Sequence, residues 1–238
     1  MSPGQALGPD AGPRPDALVH GPDGVAIAVF RSGAATGRPV VLVHGATADH
    51  TTWRTSGPLL GARHPLHAID RRGRGASGDG PPGQAYAIER EFDDLAAVVS
   101  AVADATGAPV DVVGHSYGGR VALGAALRTD RLRRLVCYEG APAAPGTAGY
   151  QDADRATLRR VERLVAAGDR GEALAVFMRE IVGMPDADLA AFRADPVWPR
   201  RAAAMDTTIR ELRAETSPAG SLDTLGSVRQ PVLQVLGG

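Results

Sequence analysis

Short unbroken apolar runs alternate with longer segments of helical period along the first 140 residues. "PVVLVHG" (Pro39–Gly45) is a continuous apolar run closed by glycine, the pattern of a strand buried on both faces of a sheet. "HPLHAID" (His64–Asp70), "VDVVG" (Val110–Gly114) and "RLVCYEG" (Arg134–Gly140) read the same way. Between Tyr86 and Thr106 the period changes. Ile88, Phe92, Leu95, Val99 and Val102 share one face, with Glu89, Arg90, Asp93 and Asp94 elsewhere, which predicts a helix ended by Gly107 and Pro109. A small-residue helix is predicted from Tyr117 to about Arg128. Near the start, Leu18–His20 and Val25–Phe30 flank Pro22-Asp23-Gly24, which is hairpin chemistry. Alternating strands and helices predict an α/β fold: a mostly parallel sheet covered by helices.

After Gly149 only helical patterns follow. Leu158, Val161, Leu164 and Val165 form one stripe, and Leu174, Phe177, Met178 and Ile181 a second. Further helices are expected over Asp186–Arg193 and Arg200–Ala214. "PVLQVLGG" (Pro231–Gly238) returns to the strand pattern. The expected organisation is a flexible tail (1–17), a sheet core (18–149), an inserted helical block (150–215) and a return to the core, incomplete at its end (216–238).

Composition narrows the field. The formal net charge of −1 gives no electrostatic footprint for nucleic acid or an anionic membrane. Cys137 is the single cysteine, so no intrachain disulfide can form, which fits a reducing cytoplasm. No stretch approaches membrane-spanning length.

Candidate chemistry gathers at three strand ends. Gly114-x-Ser116-x-Gly118 has the spacing of a strand–turn–helix nucleophile elbow, in which small neighbours let strand and helix approach. A plain βα turn is the alternative. His44-Gly45-Ala46 closes an earlier strand, and His44 is expected to shape that loop rather than carry protons. His115, adjacent to the serine on a strand, should point to the opposite face as a packing group. His50, His64 and His67 are expected at the surface or in loops. Gly73 to Gly78 contains a literal G-x-G-x-x-G, but a loop rather than a helix follows it, which argues against a dinucleotide site. With no lysine there is no phosphate-binding G-x-x-x-x-G-K-[ST], and no His/Cys cluster has metal-ligand spacing. No cofactor is expected.

The order "VVLVHGA", "DRRGRGASG", "VVGHSYGG" and then a helical block resembles the α/β-hydrolase superfamily, from about Leu18 onward. The resemblance implies Ser116 as nucleophile, the N–H groups of Ala46 and Tyr117 as an oxyanion hole, and Gly45, Gly114, Gly118 and Gly119 as the small residues supporting them. It also implies that the helices from about Tyr150 to Glu215 cap the site and select a small-molecule substrate. A plain structural insertion is the alternative for those helices.

The superfamily orders its triad nucleophile, acid, histidine. The six histidines here (His20, His44, His50, His64, His67, His115) all precede Ser116. Glu139, closing its strand, stands where some members carry the acid; it reads equally well as a polar residue at a strand end. The resemblance therefore implies a further strand, a histidine-bearing loop and a closing helix beyond Gly238. The 238-residue chain alone is expected to be poorly stable or to aggregate through an open strand edge, and to turn over little or no ester. The expected activity is cleavage of an ester, thioester or amide through an acyl-enzyme. The alternatives are an inactive hydrolase-like binding protein, or cofactor-free peroxidation or C–C bond hydrolysis on the same fold. Oligomeric state is not legible in the sequence.

Overall fold

In the computed structural model, residues 13–140, 152–214 and 218–236 are described. Seven strands form one sheet in the order β1-β2-β4-β3-β5-β6-β7. The hairpin comes first: β1 (Ala17–His20) pairs antiparallel with β2 (Ala26–Gly33), and Gly24 turns it at φ 83°. β2 runs antiparallel to β4 (Pro65–Ile69). β3 (Val40–Val43), β4, β5 (Val110–His115), β6 (Leu132–Tyr138) and β7 (Val232–Val235) are mutually parallel.

β3 is buried at all four positions, as its unbroken apolar run requires. The chain leaves β3 for β4 on one side and returns to β5 on the other. The carboxyl ends of β3 and β5 therefore form a topological switch point, where open α/β sheets bind ligands.

Helices α2 (Ile88–Thr106) and α3 (Tyr117–Ala126) cover one face of the sheet. Gly107, left-handed at φ 65°, ends α2 where predicted. Phe92 packs so closely on Gly124 that a side chain there would collide with its ring. The opposite face carries a smaller cluster (Val40, Leu42, Leu66, Ala68), with Trp53 and Leu60 of the short helical turn His50–Arg54 and α1 (Gly57–Gly61) packed against it.

Between β6 and β7 lies a helical insertion with its own apolar cluster. It contains α4 (Asp152–Ala166), α5 (Arg170–Val176), α6 (Asp186–Ala194), α7 (Trp198–Ala203) and α8 (Met205–Ala214). α9 (Leu222–Leu225) then leads back to β7. Two details differ from the sequence expectation. The stripe through Phe177 and Ile181 does not continue α5 as α-helix but widens into one π-helical turn. The stretch Arg200–Ala214 is two helices broken at Ala204, whose carbonyl accepts from Arg74 of the core at 3.1 Å.

The expected tail reaches less far than residue 17. Asp16 accepts from the Arg31 N–H at 2.7 Å, and its own N–H bonds Val29. The rest of that expectation, residues 1–12, lies outside the described residues. β7 joins the sheet as expected, with Val232, Leu233 and Val235 exposed along it.

Candidate functional site

Three non-glycine residues have positive φ among the described residues: Thr47 (58°), Ser116 (52°) and Glu139 (54°). Each follows the carboxyl end of a neighbouring strand, β3, β5 or β6. That conformation is strained for a residue with a Cβ and persists only where the surroundings impose it.

The surroundings of Ser116 are glycines at every close approach. A Cβ on Gly114 would lie 2.5 Å from the Gly118 carbonyl oxygen, and one on Gly118 would lie 2.5 Å from the carbonyl oxygens of both Val43 and His44. A Cβ on Gly45 would stand 3.0 Å from that of Ser116, and one on Gly119 3.0 Å from the Gly140 Cα. Gly140 is a member of this set that the motif does not include: its Cβ would fall 2.5 Å from the Ser116 carbonyl oxygen. Ser116 donates its N–H to Tyr138 and is half-buried, and its hydroxyl has no hydrogen-bond partner among the described residues.

The Tyr117 N–H opens α3, where no intrahelical acceptor exists. It and the Ala46 N–H are both without a partner among the described residues. The Gly45–Ala46 peptide is held from its other side. The Gly45 carbonyl faces His44 Nδ1 at 2.8 Å and accepts from Arg71 Nη2 at 3.2 Å. His44 Nε2 accepts the Arg71 N–H at 3.0 Å, which assigns the ring as the neutral Nδ1–H tautomer. Complete burial, then the Arg71 charge, hold its pKa well below the ordinary histidine value. His44 thus shapes the loop, and both its nitrogens are engaged.

His115 lies on the other face of β5, stacked on Tyr138 with ring centroids 5.3 Å apart. It lines an apolar hollow of about 390 Å³ with Val113, Trp53, Leu59 and Leu60. Glu139 is exposed, and its N–H extends the ladder to Val235 at 2.9 Å.

Of the histidines expected at the surface or in loops, His64 lies half-buried in the loop before β4, whereas His67 is buried in β4. His50 stacks on Phe30, and its Nδ1 meets the fully buried Asp70 carboxylate at 2.9 Å. Asp49, His50 and Asp70 offer ligand atoms within 4.8 Å of one another, as a metal would require. The carboxylates are already engaged: Asp49 accepts from Thr51 and pairs with Arg200, and Asp70 accepts from His50 and the Ala76 N–H. His50 and Asp70 line a cavity of about 920 Å³ between the core loops and helices α7–α8, beside Phe30, Thr47, Arg74 and Thr207. Ser116 does not line it.

Beneath the Ala46 loop sits a buried charge cluster that the sequence reading does not contain. Arg71 donates Nε to the His44 carbonyl at 3.0 Å, Nη1 to Glu91 at 2.8 Å and Nη2 to Glu211 of α8 at 2.9 Å. Its guanidinium lies 4.9 Å from the centre of the Tyr117 ring. Tyr86 joins Glu91 at 2.5 Å and the Tyr117 hydroxyl at 2.8 Å. Burial, with the nearby carboxylates, pushes the Tyr117 phenol well above its ordinary value, so it stays neutral. The available sequence signal was a carboxylate on a buried helix stripe: Glu211 lies three residues beyond Thr208, and both are completely buried.

Residues 40–235 match the model of the alpha/beta hydrolase family, and the chain belongs to that family. A solved alpha/beta hydrolase from Sphaerobacter thermophilus is 34% identical, with a TM-score of 0.75 over 93% of this chain and 82% of that one. The pimeloyl-[acyl-carrier protein] methyl ester esterase of Neisseria meningitidis is 29% identical over 204 residues, 84% of this chain and 75% of its own. The probable oxidoreductase EphD of Mycobacterium tuberculosis is 41% identical over 101 residues, 42% of this chain. The chain spans only 17% of that relative. No helix among the described residues is long and apolar enough to cross a membrane.

Proposed function

We propose that the chain is a serine hydrolase acting on an ester, thioester or amide of a small molecule through an acyl-enzyme, with Ser116 as nucleophile. The observation that carries this reading is the strained Ser116 backbone, φ 52° and ψ −122°, at a strand–helix junction with two unpartnered N–H groups beside it. Ser116 Oγ attacks the substrate carbonyl carbon as its proton passes to water or to an added base, which returns a proton to the leaving group. The carbonyl electron pair moves to oxygen, and the Ala46 and Tyr117 N–H groups hold the resulting oxyanion. Its collapse expels the alcohol, thiol or amine, and water then releases the acid. Similarity to an esterase across most of the chain favours the ester. Glu139 takes the role of the acid that would orient a histidine, and helices α4–α8 that of a cap over the site.

None of the six histidines takes the Ser116 proton in this reading: His44 has both nitrogens engaged, His115 is stacked on Tyr138 without a hydrogen bond to Ser116, and His50 is bound to Asp70. The chain is therefore expected to hydrolyse a nitrophenyl ester slowly, and faster when imidazole is supplied as an external base. A fluorophosphonate, which phosphorylates the hydroxyl oxygen and expels fluoride, tests the nucleophile directly. In the presence of imidazole the adduct should map to Ser116 by mass spectrometry and vanish in Ser116→Ala. An adduct that survives Ser116→Ala, or none at all, sinks the reading. A non-catalytic binding role is the second reading, favoured by a cavity of about 920 Å³ that Ser116 does not line. It predicts no adduct under any of these conditions.

A further inference from the structure

We infer that Glu211, on helix α8 of the insertion, is a positioning residue for the Ala46 N–H, acting through Arg71. The inference rests on the proposed role of that N–H in holding an oxyanion. In a trans peptide the C=O and the following N–H point in opposite directions. Whatever fixes the Gly45 carbonyl therefore aims the Ala46 N–H. Two donors meet that carbonyl, His44 Nδ1 and Arg71 Nη2, and both are completely buried.

His44 cannot set the geometry alone, because Arg71 also bonds the His44 carbonyl and, through its N–H, the His44 ring. Arg71 is the hub, and its planar fork is itself oriented by two carboxylates. Glu91 takes Nη1 from the core side. Glu211 takes Nη2, the nitrogen that also reaches Gly45. The same Glu211 oxygen pairs with Arg74 at 2.7 Å, while its other oxygen is buried without a partner. A single cap-side oxygen thus holds two core arginines. Ala46 stands where the apolar clusters of sheet and insertion meet, so the seating of α8 and the aim of this N–H form one mechanical unit.

The test compares two ties between α8 and the core. Glu211→Gln keeps the shape and an acceptor but removes the charge. Arg210→Gln cuts a different tie, from Arg210 to Asp79 at 2.6 Å, to the Arg72 carbonyl and to the Tyr86 ring, and leaves the Glu211–Arg71 pair in place. Two readouts are taken on the whole chain: the amide cross-peaks of Ala46 and Tyr117 in nitrogen-15 NMR spectra, and fluorophosphonate labelling with imidazole present. Glu211→Gln should move the Ala46 cross-peak further than that of Tyr117. Arg210→Gln should leave the Ala46 cross-peak in place. Labelling of Glu211→Gln should show kinact lowered on the order of 10-fold at unchanged KI, less than the loss of a whole oxyanion donor. Glu211→Asp, which retracts the carboxylate and keeps its charge, should fall between, and serves where the glutamine variant fails to fold. An unmoved Ala46 cross-peak, or an equal movement in Arg210→Gln, overturns the inference. Failure of wild-type labelling overturns the hydrolase reading alone, since the cross-peaks report the coupling without chemistry.

Discussion

Gly118 shows how little room the elbow leaves. A methyl group there meets two backbone carbonyl oxygens of the β3 end, neither of which can swing aside. Gly118→Ala is expected to destabilise the fold by roughly 1–3 kcal/mol, the range for overpacking a tight site, visible as a lower urea midpoint. It should also displace the His44–Ala46 loop and slow Ser116 labelling. An unchanged midpoint would mean that the strand–helix approach is looser than these distances require. At this scale the sequence was legible where chemistry is local. The strand–helix turn at Ser116, its glycines and the place of His44 at the end of β3 follow from spacing along a few residues. Glu211 and the His50–Asp70 pair do not, because the partners stand 140 and 20 residues apart. A buried carboxylate looks like any surface carboxylate until its arginine is placed beside it.

Among the elements, the hairpin β1–β2 is tied to helix α2 by Arg72. Arg72 grips Asp94 of α2 with Nε at 2.7 Å and Nη2 at 2.8 Å, and Asp23 of the hairpin turn with Nη1 at 2.9 Å. The Arg72 hydrogen bond, the largest influence, holds the Asp23 carboxyl down to about 2 from 3.8. A depressed carboxyl stabilises the fold above its unfolded value, and that stabilisation is lost as the pH falls from 3.8 through about 2. Urea midpoints measured across that window should fall less steeply for Asp23→Asn than for the native chain. Equal slopes would show that the turn is not held by this charge. Strand and helix positions were legible here because burial on both faces leaves unbroken apolar runs in the strands and a period of 3.6 in the helices. Asp94 was not: grouped with the polar side of α2, it is in fact buried against Arg72. The break at Ala204 was hidden for the same reason, since the group that caps it comes from the Arg74 loop.

The described residues form three apolar clusters, one on each face of the sheet and one in the insertion, and β7 at the edge of the described sheet is exposed on both faces. Leu233 and Leu236 of that edge are 59% and 67% exposed. An open apolar edge invites pairing with another chain. Concentrated samples should scatter light through self-association, and Leu233→Lys should suppress it with little change in the melting temperature. Scattering that persists undiminished would place the sticky surface elsewhere. The buried cluster under the Ala46 loop bears on modularity. Arg71 and Arg74 carry two positive charges; the core returns one negative charge through Glu91, and the insertion returns the other through Glu211. In a core cut free of helices α4–α8, Arg71 would keep only Glu91 as a carboxylate partner, and the groups of α8 that cover Arg74 would be gone. The helical block thus supplies part of the charge balance of the core, and a block transplanted from a relative would need to bring a carboxylate to the place Glu211 now fills.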